Sequence, residues 1–370
     1  MLPEIAILSP LARDAGPTHG GITAVIVALS NALCELGVRV ELLTLSSLDP
    51  HSQVPRLHRA ISVHKLGPGR RRQQAHRLGR YLAERTPATL LAAGHRANVL
   101  AARQAGRQTR VVLSVHNAIS PGLARVNPMR RWLRKRALHR DYRKADSIIC
   151  VSDGVAADLE RLAPSTSGHI HVRYNPIAAP DADPHGPVHQ WLHDPSQPVI
   201  LGAGRLTTQK GFDTLIHALA QLRHQPSPRL VILGEGSEGD SLRELAVQLG
   251  VSERLALPGF VSNPRAHMAA ASVFVLSSAW EGFGNVLVEA MAAGTPVVAT
   301  DCPSGPREIL LDGALGPLVP VGDSGAMADA IGRMLAAPTP ADRLRQRATD
   351  FSPTHVAARY LELLLPGRGV

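Results

Sequence analysis

Two cations and two carboxylates in the C-terminal half are spaced so that they could grip a phosphorylated carbohydrate. In "VILGAGRLTTQKGFDTLIHAL", residues 199–219, an apolar run ends at Gly202-Ala203-Gly204. Arg205 and Lys210 follow in a loop, and a helix opens near Gly211 to Asp213. Cations at the carboxyl end of a parallel strand, beside a helix N-terminus, suit a diphosphate. Most Lys and Arg are simply solvated, so it is the flanking glycines that mark this pair. In "VFVLSSAWEGFGNVLVEAMAAGTPVVATDCPSGPREIL", residues 273–310, a strand leads to Glu281, Gly282, Phe283 and Gly284. A helix over Asn285 to Ala293 follows, closed by Gly294 and Pro296. Glu281 is in the loop and Glu289 one turn into the helix, so the two could face different parts of one ligand. Gly282 and Gly284 open backbone N–H groups at a helix N-terminus to hydroxyl or phosphate oxygens. Glu289 has the apolar neighbours Val286, Leu287, Val288, Ala290 and Met291, which argues against a solvated face.

A third stretch imitates another chemistry. "RLVILGEGSEGDSLRELAVQLG", residues 229–250, carries a literal GxGxxG from Gly234 to Gly239. Dinucleotide enzymes place that motif after the first strand of a domain, with an acid at the end of the next strand. Here it follows the second strand of the second half, and the next strand, "LALPGF", ends without an acid. Glu235 and Glu238 would also repel a pyrophosphate. The glycines instead read as a tight strand-to-helix turn near a ligand.

The elements that must position these residues are legible as alternation. Apolar, β-rich runs recur near 4–8, 38–44, 60–66, 89–93, 110–114, 147–151 and 169–173. They resume near 198–203, 229–233, 254–257, 273–277, 296–299 and 317–320. Helical patterns such as 22–36 and 97–106 fall between them. Such strands, apolar on both faces, imply parallel sheets covered on both sides. The Pro-, Asp- and His-rich segment 174–198 reads as a linker. The expectation is an α/β protein of two doubly wound, Rossmann-like domains, 1–178 and 179–351, facing across a cleft that is the default ligand site. The amphipathic segment 352–366, opened by Ser352 and Pro353, is expected to pack back onto the first domain.

The 370-residue chain is too long for one ordinary core. Only 3% of its residues are aromatic, so that core must be largely aliphatic. No apolar run reaches the roughly 18 residues needed to span a bilayer, and the start has no basic n-region of a signal peptide. Cys34, Cys150 and Cys302 follow no metal spacing and read as buried free thiols of a reducing cytosol. No Asp-x-Asp or His-rich cluster sits at a strand end, so the reaction is expected to need no metal. The net charge of +10 favours an anionic partner. Much of it lies in "RRRQQAHRLGR" (70–80) and "RRWLRKRALHRDYRK" (130–144). The second stretch places Met129, Trp132, Leu133 and Ala137 on one helical face ringed by cations. Such a helix either lies on an anionic membrane or packs its apolar face on the sheet. No aromatic-rich strand or recognition motif accompanies the charge, so nucleic acid is not the expected partner.

Taken in order, these segments resemble the retaining GT-B glycosyltransferases of family 4. The likeness rests on "GRLTTQKGF", on Glu281 and Glu289 with seven residues between them, and on the N-terminal "GGITAVIVALSNALCELGVRVELLTL". "VVLSVHN" (111–117), "ADSIICVSDGVAADL" (145–159) and "RYNPI" (173–177) extend it over nearly the whole chain. "TDCPSGPREIL" (300–310) resembles members that build bacterial surface polysaccharides and lipopolysaccharide from a nucleotide-linked hexose or N-acetylhexosamine.

The resemblance implies that Arg205 and Lys210 hold the donor diphosphate and neutralise it as it leaves. It implies that Glu289 binds the nucleotide ribose. Glu281 would face the donor sugar, with the Phe283, Gly284 and Asn285 backbone near the sugar hydroxyls. His116 would reach the sugar and the reacting bond, and Gly20 and Gly21 would form the glycine loop near the phosphates. Glu235 would lie at the nucleotide end of the cleft. The implied partners are a nucleotide sugar, with UDP the expected nucleotide, and a glycan or lipid-linked acceptor. The implied setting is the cytoplasm, with peripheral attachment to the inner face of the cytoplasmic membrane as a further expectation. Two features depart from the pattern. Asn117 follows His116 where an acid is common, and 118–129 has no counterpart and is expected to line the acceptor site. On the residues alone, a glycoside hydrolase using Glu281 and Glu289, a catalytically silent sugar-nucleotide binder, and an epimerase or phosphorylase of the same fold stay open.

Overall fold

The computed structural model describes residues 2, 4–9, 21–45, 57–106, 108–124, 126–177, 188–194 and 196–367. The chain divides into two compact units, residues 1–176 with 352–370, and residues 177–351.

In the first unit β1 (Ile5–Ser9), β2 (Val40–Thr44), β3 (Ser62–Lys65), β4 (Thr89–Ala93), β5 (Arg110–Val115), β6 (Ser147–Cys150) and β7 (Ile170–Val172) form one sheet. Its order is β3-β2-β1-β4-β5-β6-β7, with every ladder parallel. The second unit holds β8 (Val199–Ala203), β9 (Arg229–Leu233), β10 (Leu255–Gly259), β11 (Val273–Leu276), β12 (Val297–Thr300) and β13 (Leu318–Val319). Their order is β10-β9-β8-β11-β12-β13, again all parallel. Both are doubly wound, and the order reverses between β1 and β4 in one and between β8 and β11 in the other. Crevices beyond the carboxyl ends of strands at such reversals are where open α/β sheets bind ligands.

β1, β2, β4 and β8 are buried along their whole length, as sandwiched parallel strands must be. The helix Phe212–Gln221 alternates Leu215, Ile216 and Leu219 onto the second sheet, all fully buried. Each such side chain contributes about 1.5–3 kcal/mol of burial free energy. In the first unit the helix Pro353–Leu364 places Val356, Tyr360, Leu361 and Leu364 in one cluster with Ile26, Leu29 and Leu33 of the helix Gly21–Glu35. Ser352 is its N-cap and Pro353 its first residue, where proline's missing N–H costs nothing.

Three expectations need adjustment. The second predicted helix runs over His95–Ala102, because Gly94, at φ +91°, starts it earlier than the apolar pattern indicates. Within the expected linker, Gln190–His193 form a 3-10 turn. There Trp191 packs edge-on to His189 and beneath the Arg229 guanidinium, 5.1 Å from its ring centroid. Cys34 is half-buried, while Cys150 and Cys302 are buried as expected.

Candidate functional site

The second unit's site is built from the loops that leave β8 and β11, the strands on either side of the reversal. The loops are laced to each other. Ala279 N–H donates to the Gln209 carbonyl at 2.8 Å, and Gln209 Nε2 donates to the Trp280 carbonyl at 2.9 Å. Ser277 Oγ donates to the Lys210 carbonyl at 2.7 Å. Gly211, at φ +59°, lies so close to the Ser277 carbonyl that a Cβ there would overlap it. Thr300, at the end of β12, donates to the Ser278 carbonyl at 2.6 Å.

This lacing delivers one ion pair. Lys210 Nζ donates to Glu281 Oε1 at 2.5 Å, and Ser278 Oγ donates to the same oxygen at 2.6 Å. The two side chains are 17% and 9% exposed, so bulk water screens them weakly. Cys302 lies close by. Burial and the Glu281 carboxylate push its thiol up to about 12, so it stays protonated. Arg205 is exposed and makes no ion pair or side-chain hydrogen bond among the described residues. The structure therefore brings Lys210 and Glu281 together and, among the described residues, gives the Arg205 guanidinium no partner.

The GxGxxG stretch now has a physical account. A Cβ on Gly234 would overlap the Gly204 carbonyl, and one on Gly236 would overlap the Leu206 carbonyl. Leu206 N–H donates to the Glu235 carbonyl at 2.9 Å, and Glu238 N–H to the Leu206 carbonyl at 3.1 Å. The glycines admit the chain's own β8 loop, the one that carries Arg205. Glu235 is exposed, and its Oε1 lies 3.5 Å from the Phe260 backbone nitrogen.

Phe283, Gly284 and Asn285 lead into the helix Asn285–Ala293. The Phe283 ring is buried edge-on against Phe351, with centroids 5.5 Å apart, so it anchors the loop. Gly305 passes so near the Phe283 carbonyl that only glycine fits. Gly284 caps the helix at φ +103°. Glu289 is half-buried. The protein around it pushes its carboxyl above the usual range, partly opposed by Arg265.

In the first unit His116 follows β5 and is buried, with Ser114 Oγ 3.0 Å from its Nε2. Burial pushes its pKa down to about 4, against a smaller opposing contribution from Asn175, so the ring is neutral near pH 7. Gly21 is the first residue of the helix Gly21–Glu35. Gly20 lies outside the described residues. His116 lines a cavity of about 610 Å³, together with Ala118, Ile119, Gly122 and Leu123 from the stretch that matched no pattern. Buried Asp158 holds that stretch by accepting from the Ile119 and Ser120 N–H groups at 2.6 and 3.0 Å. The helix Pro128–Tyr142 turns Met129, Trp132 and Leu133 outward, 66%, 54% and 51% exposed, so they do not pack on the sheet. Among the described residues no group of three or more His, Cys, Asp or Glu could hold a metal ion, and no helix is long and apolar enough to cross a membrane.

Sequence reasoning did not single out Ser278, Gln209 or Ser277, although all three sit within four residues of Lys210 or Glu281. Short polar side chains next to a predicted charged loop were the available signal. It also did not single out Asn98, buried beside the cavity, whose Nδ2 donates to the Ser114 carbonyl at 2.9 Å.

The two doubly wound parallel sheets have the architecture of the GT-B class. Residues 19–179 match the model for Glycosyltransferase Family 4, and residues 188–351 match that for Glycosyl transferases group 1. The chain belongs to this family. It is 41% identical over 172 residues to the lipopolysaccharide core biosynthesis glycosyltransferase LpsE of Rhizobium meliloti, an alignment covering 45% of this chain and 49% of that protein. It is 33% identical over 275 residues, 72% of each chain, to a Campylobacter jejuni 4-alpha-N-acetylgalactosaminyltransferase. That enzyme's name gives its acceptor as N-acetylgalactosamine-N,N'-diacetylbacillosaminyl-diphospho-undecaprenol. Sucrose-phosphate synthase of Thermosynechococcus elongatus shares the fold with a TM-score of 0.81 and 23% identity over 97% of both chains. HepE of Anabaena in complex with UDP does so at 0.79 and 22%, over 98% of this chain and 99% of that one.

Proposed function

We propose that this enzyme moves a hexose or N-acetylhexosamine from a UDP-sugar to a glycan or lipid-linked acceptor in the assembly of bacterial surface polysaccharide or lipopolysaccharide. The observation that carries the reading is the Lys210–Glu281 pair beside an unpartnered Arg205 at the carboxyl ends of β8 and β11. In this reading Arg205 and Lys210 take the diphosphate and stabilise the charge that grows on it as the glycosidic bond breaks. Glu281, held by Ser278, faces the sugar hydroxyls. Glu289 accepts from the ribose, and the Phe283, Gly284 and Asn285 backbone meets the sugar. Glu235 borders the nucleotide. The acceptor hydroxyl attacks the anomeric carbon from the face the leaving group departs, and its proton passes to the departing phosphate, so configuration is retained. Neutral His116 can exchange a hydrogen bond with the sugar without adding charge.

The relatives' roles support the acceptor class, since one acts on a diphospho-undecaprenol-linked glycan and another in lipopolysaccharide core synthesis. The outward Met129, Trp132 and Leu133, ringed by Arg130, Arg131 and Lys135, support peripheral attachment to an anionic membrane face on the cytoplasmic side. Thermal shift against a panel of nucleotide sugars tests the donor. A UDP-hexose or UDP-N-acetylhexosamine at about 100 times Kd adds about 2.7 kcal/mol of stability. Arg205→Ala and Glu289→Ala each reduce that gain, and an unchanged shift in both places the donor elsewhere. Co-sedimentation with vesicles containing anionic lipid tests the membrane face. Binding that ignores lipid charge removes that part of the reading.

A further inference from the structure

The two basic stretches, about 60 residues apart in sequence, converge on the first unit's cavity. Arg71 comes from one, Arg134 and Arg140 from the other, and Arg103 from the end of the helix His95–Ala102. Against these four guanidiniums the described residues of the lining include one carboxylate, Asp141. That carboxylate is buried and already taken, because Arg140 donates to it at 2.9 and 3.2 Å. Arg71, Arg103 and Arg134 are exposed and make no ion pair or side-chain hydrogen bond among the described residues. Other arginines of the same unit do find acids, as Arg85 with Glu41 and Arg161 with Asp158. His95 reports the resulting field. Desolvation, then Arg71 and Arg134, push its imidazole below the ordinary value, with Asp141 opposing. Three unmatched cations thus border one concavity.

We propose that this cavity is a phosphate subsite, in which Arg71, Arg103 and Arg134 grip a phosphate or diphosphate carried by the acceptor. The proposal rests on the transferase reading and adds the acceptor's chemistry to it. Guanidinium forks match phosphate oxygens in pairs and stay charged at any physiological pH. A cavity of about 610 Å³ is large enough for such a group with a sugar beside it. Asn98, whose buried Oδ1 has no hydrogen-bond partner among the described residues, lines the same cavity. The helix that supplies Arg134 and Leu138 to the cavity also carries the exposed Trp132 and Leu133. A phosphate at the headgroup level of a membrane would meet that helix first. A lipid diphosphate and a soluble sugar phosphate share the chemistry.

Calorimetric titration of the full chain with inorganic pyrophosphate, geranyl diphosphate and glucose 1-phosphate tests this. Arg103→Gln/Arg134→Gln, which keeps side-chain bulk, is expected to weaken pyrophosphate binding at least about tenfold, since each charge-assisted bond is worth that much. In an Arg205→Ala/Lys210→Ala background, which removes the donor site's own hold on pyrophosphate, Arg103→Gln/Arg134→Gln is expected to cause the same loss. Undiminished binding in the Arg103/Arg134 variant, or no pyrophosphate binding by the wild type, overturns the proposal. The UDP-sugar shift should survive Arg103→Gln/Arg134→Gln, so failure here is separable from failure of the donor reading. Geranyl diphosphate binding tighter than pyrophosphate assigns the subsite to a lipid carrier, and tighter glucose 1-phosphate assigns it to a soluble acceptor.

Discussion

The two units handle charge in opposite ways. In the second, Lys210 is neutralised by Glu281, which Ser278 also holds, and the loops that carry them are joined by backbone and side-chain hydrogen bonds. In the first, three arginines stand around a cavity where the described residues leave no acid to meet them. An internally paired site is set before its ligand arrives, and the ligand exchanges partners with it. A site of unmatched cations does nothing for the fold and waits for an anion. The contrast gives different signatures on mutation.

The largest effect is expected at Lys210. Lys210→Ala removes a donor to the departing diphosphate and should lower kcat by about 10²–10³, the cost of losing one such electrostatic contact. It also strands the buried Glu281 carboxylate without its cation. Breaking a buried pair from one side costs about 3–5 kcal/mol, less here because Lys210 is partly solvated. Urea unfolding should show most of that loss recovered in Lys210→Ala/Glu281→Gln, with activity still low. Equal stability of the single and double variants would mean that the pair is no structural element.

His116 sharpens the comparison from the other unit, where the buried polar group is neutral. Its folded pKa of about 4 lies below the ordinary 6.5, so the unfolded chain binds the proton first. The stability this neutral ring supports is complete above pH 6.5 and is lost as pH falls from 6.5 towards 4. The drop is about 3 kcal/mol over that window. Urea unfolding at pH 7 and pH 4.5 should show a steeper acid loss in the wild type than in His116→Gln. Parallel curves would mean that the ring is protonated or solvated in the folded protein.

The backbone of the paired site is similarly demanding. Gly234→Ala pushes a methyl into the Gly204 carbonyl at a backbone φ of +132°. A cost of about 2 kcal/mol or more is expected, read as a fall in the urea midpoint. The same change at Gly106, where nothing lies within 4 Å, should cost less despite its own positive φ. Equal costs would mean that φ, and not the close approach, dictates glycine at Gly234.

What the sequence disclosed follows from which contacts are local. The inner strands stood out because a parallel strand buried on both faces must be a continuous apolar run, whereas β3, β7 and β10 are only partly buried and were legible by their place in the alternation. Lys210 and Glu281 stood out because each sits in a Gly-flanked loop just after such a run. The purpose of Gly234 and Gly236 did not, since the carbonyls they admit belong to residues about 30 positions earlier. The cavity arginines were visible only as charge. Arg71, Arg103 and Arg134 become one group through the winding of β4 and β5 between three helices, and no local pattern encodes that meeting. Exposure of Trp132 was equally hidden, because an amphipathic helix reads the same whether its apolar face meets a sheet or solvent.

The smallest expected effect is the one that separates the units most cleanly. Among the described residues Arg134 has no acid to lose, and it lines the same cavity as Arg71, Arg103 and Arg140. Arg134→Ala should therefore leave unfolding stability within about 0.5 kcal/mol of wild type. Any change should be a gain that grows at low salt, as relief of like-charge repulsion does when screening weakens. Urea unfolding at two ionic strengths measures it. A salt-insensitive loss would reveal a structural partner for Arg134, and the first unit's cavity would then be balanced in the same way as the second unit's site.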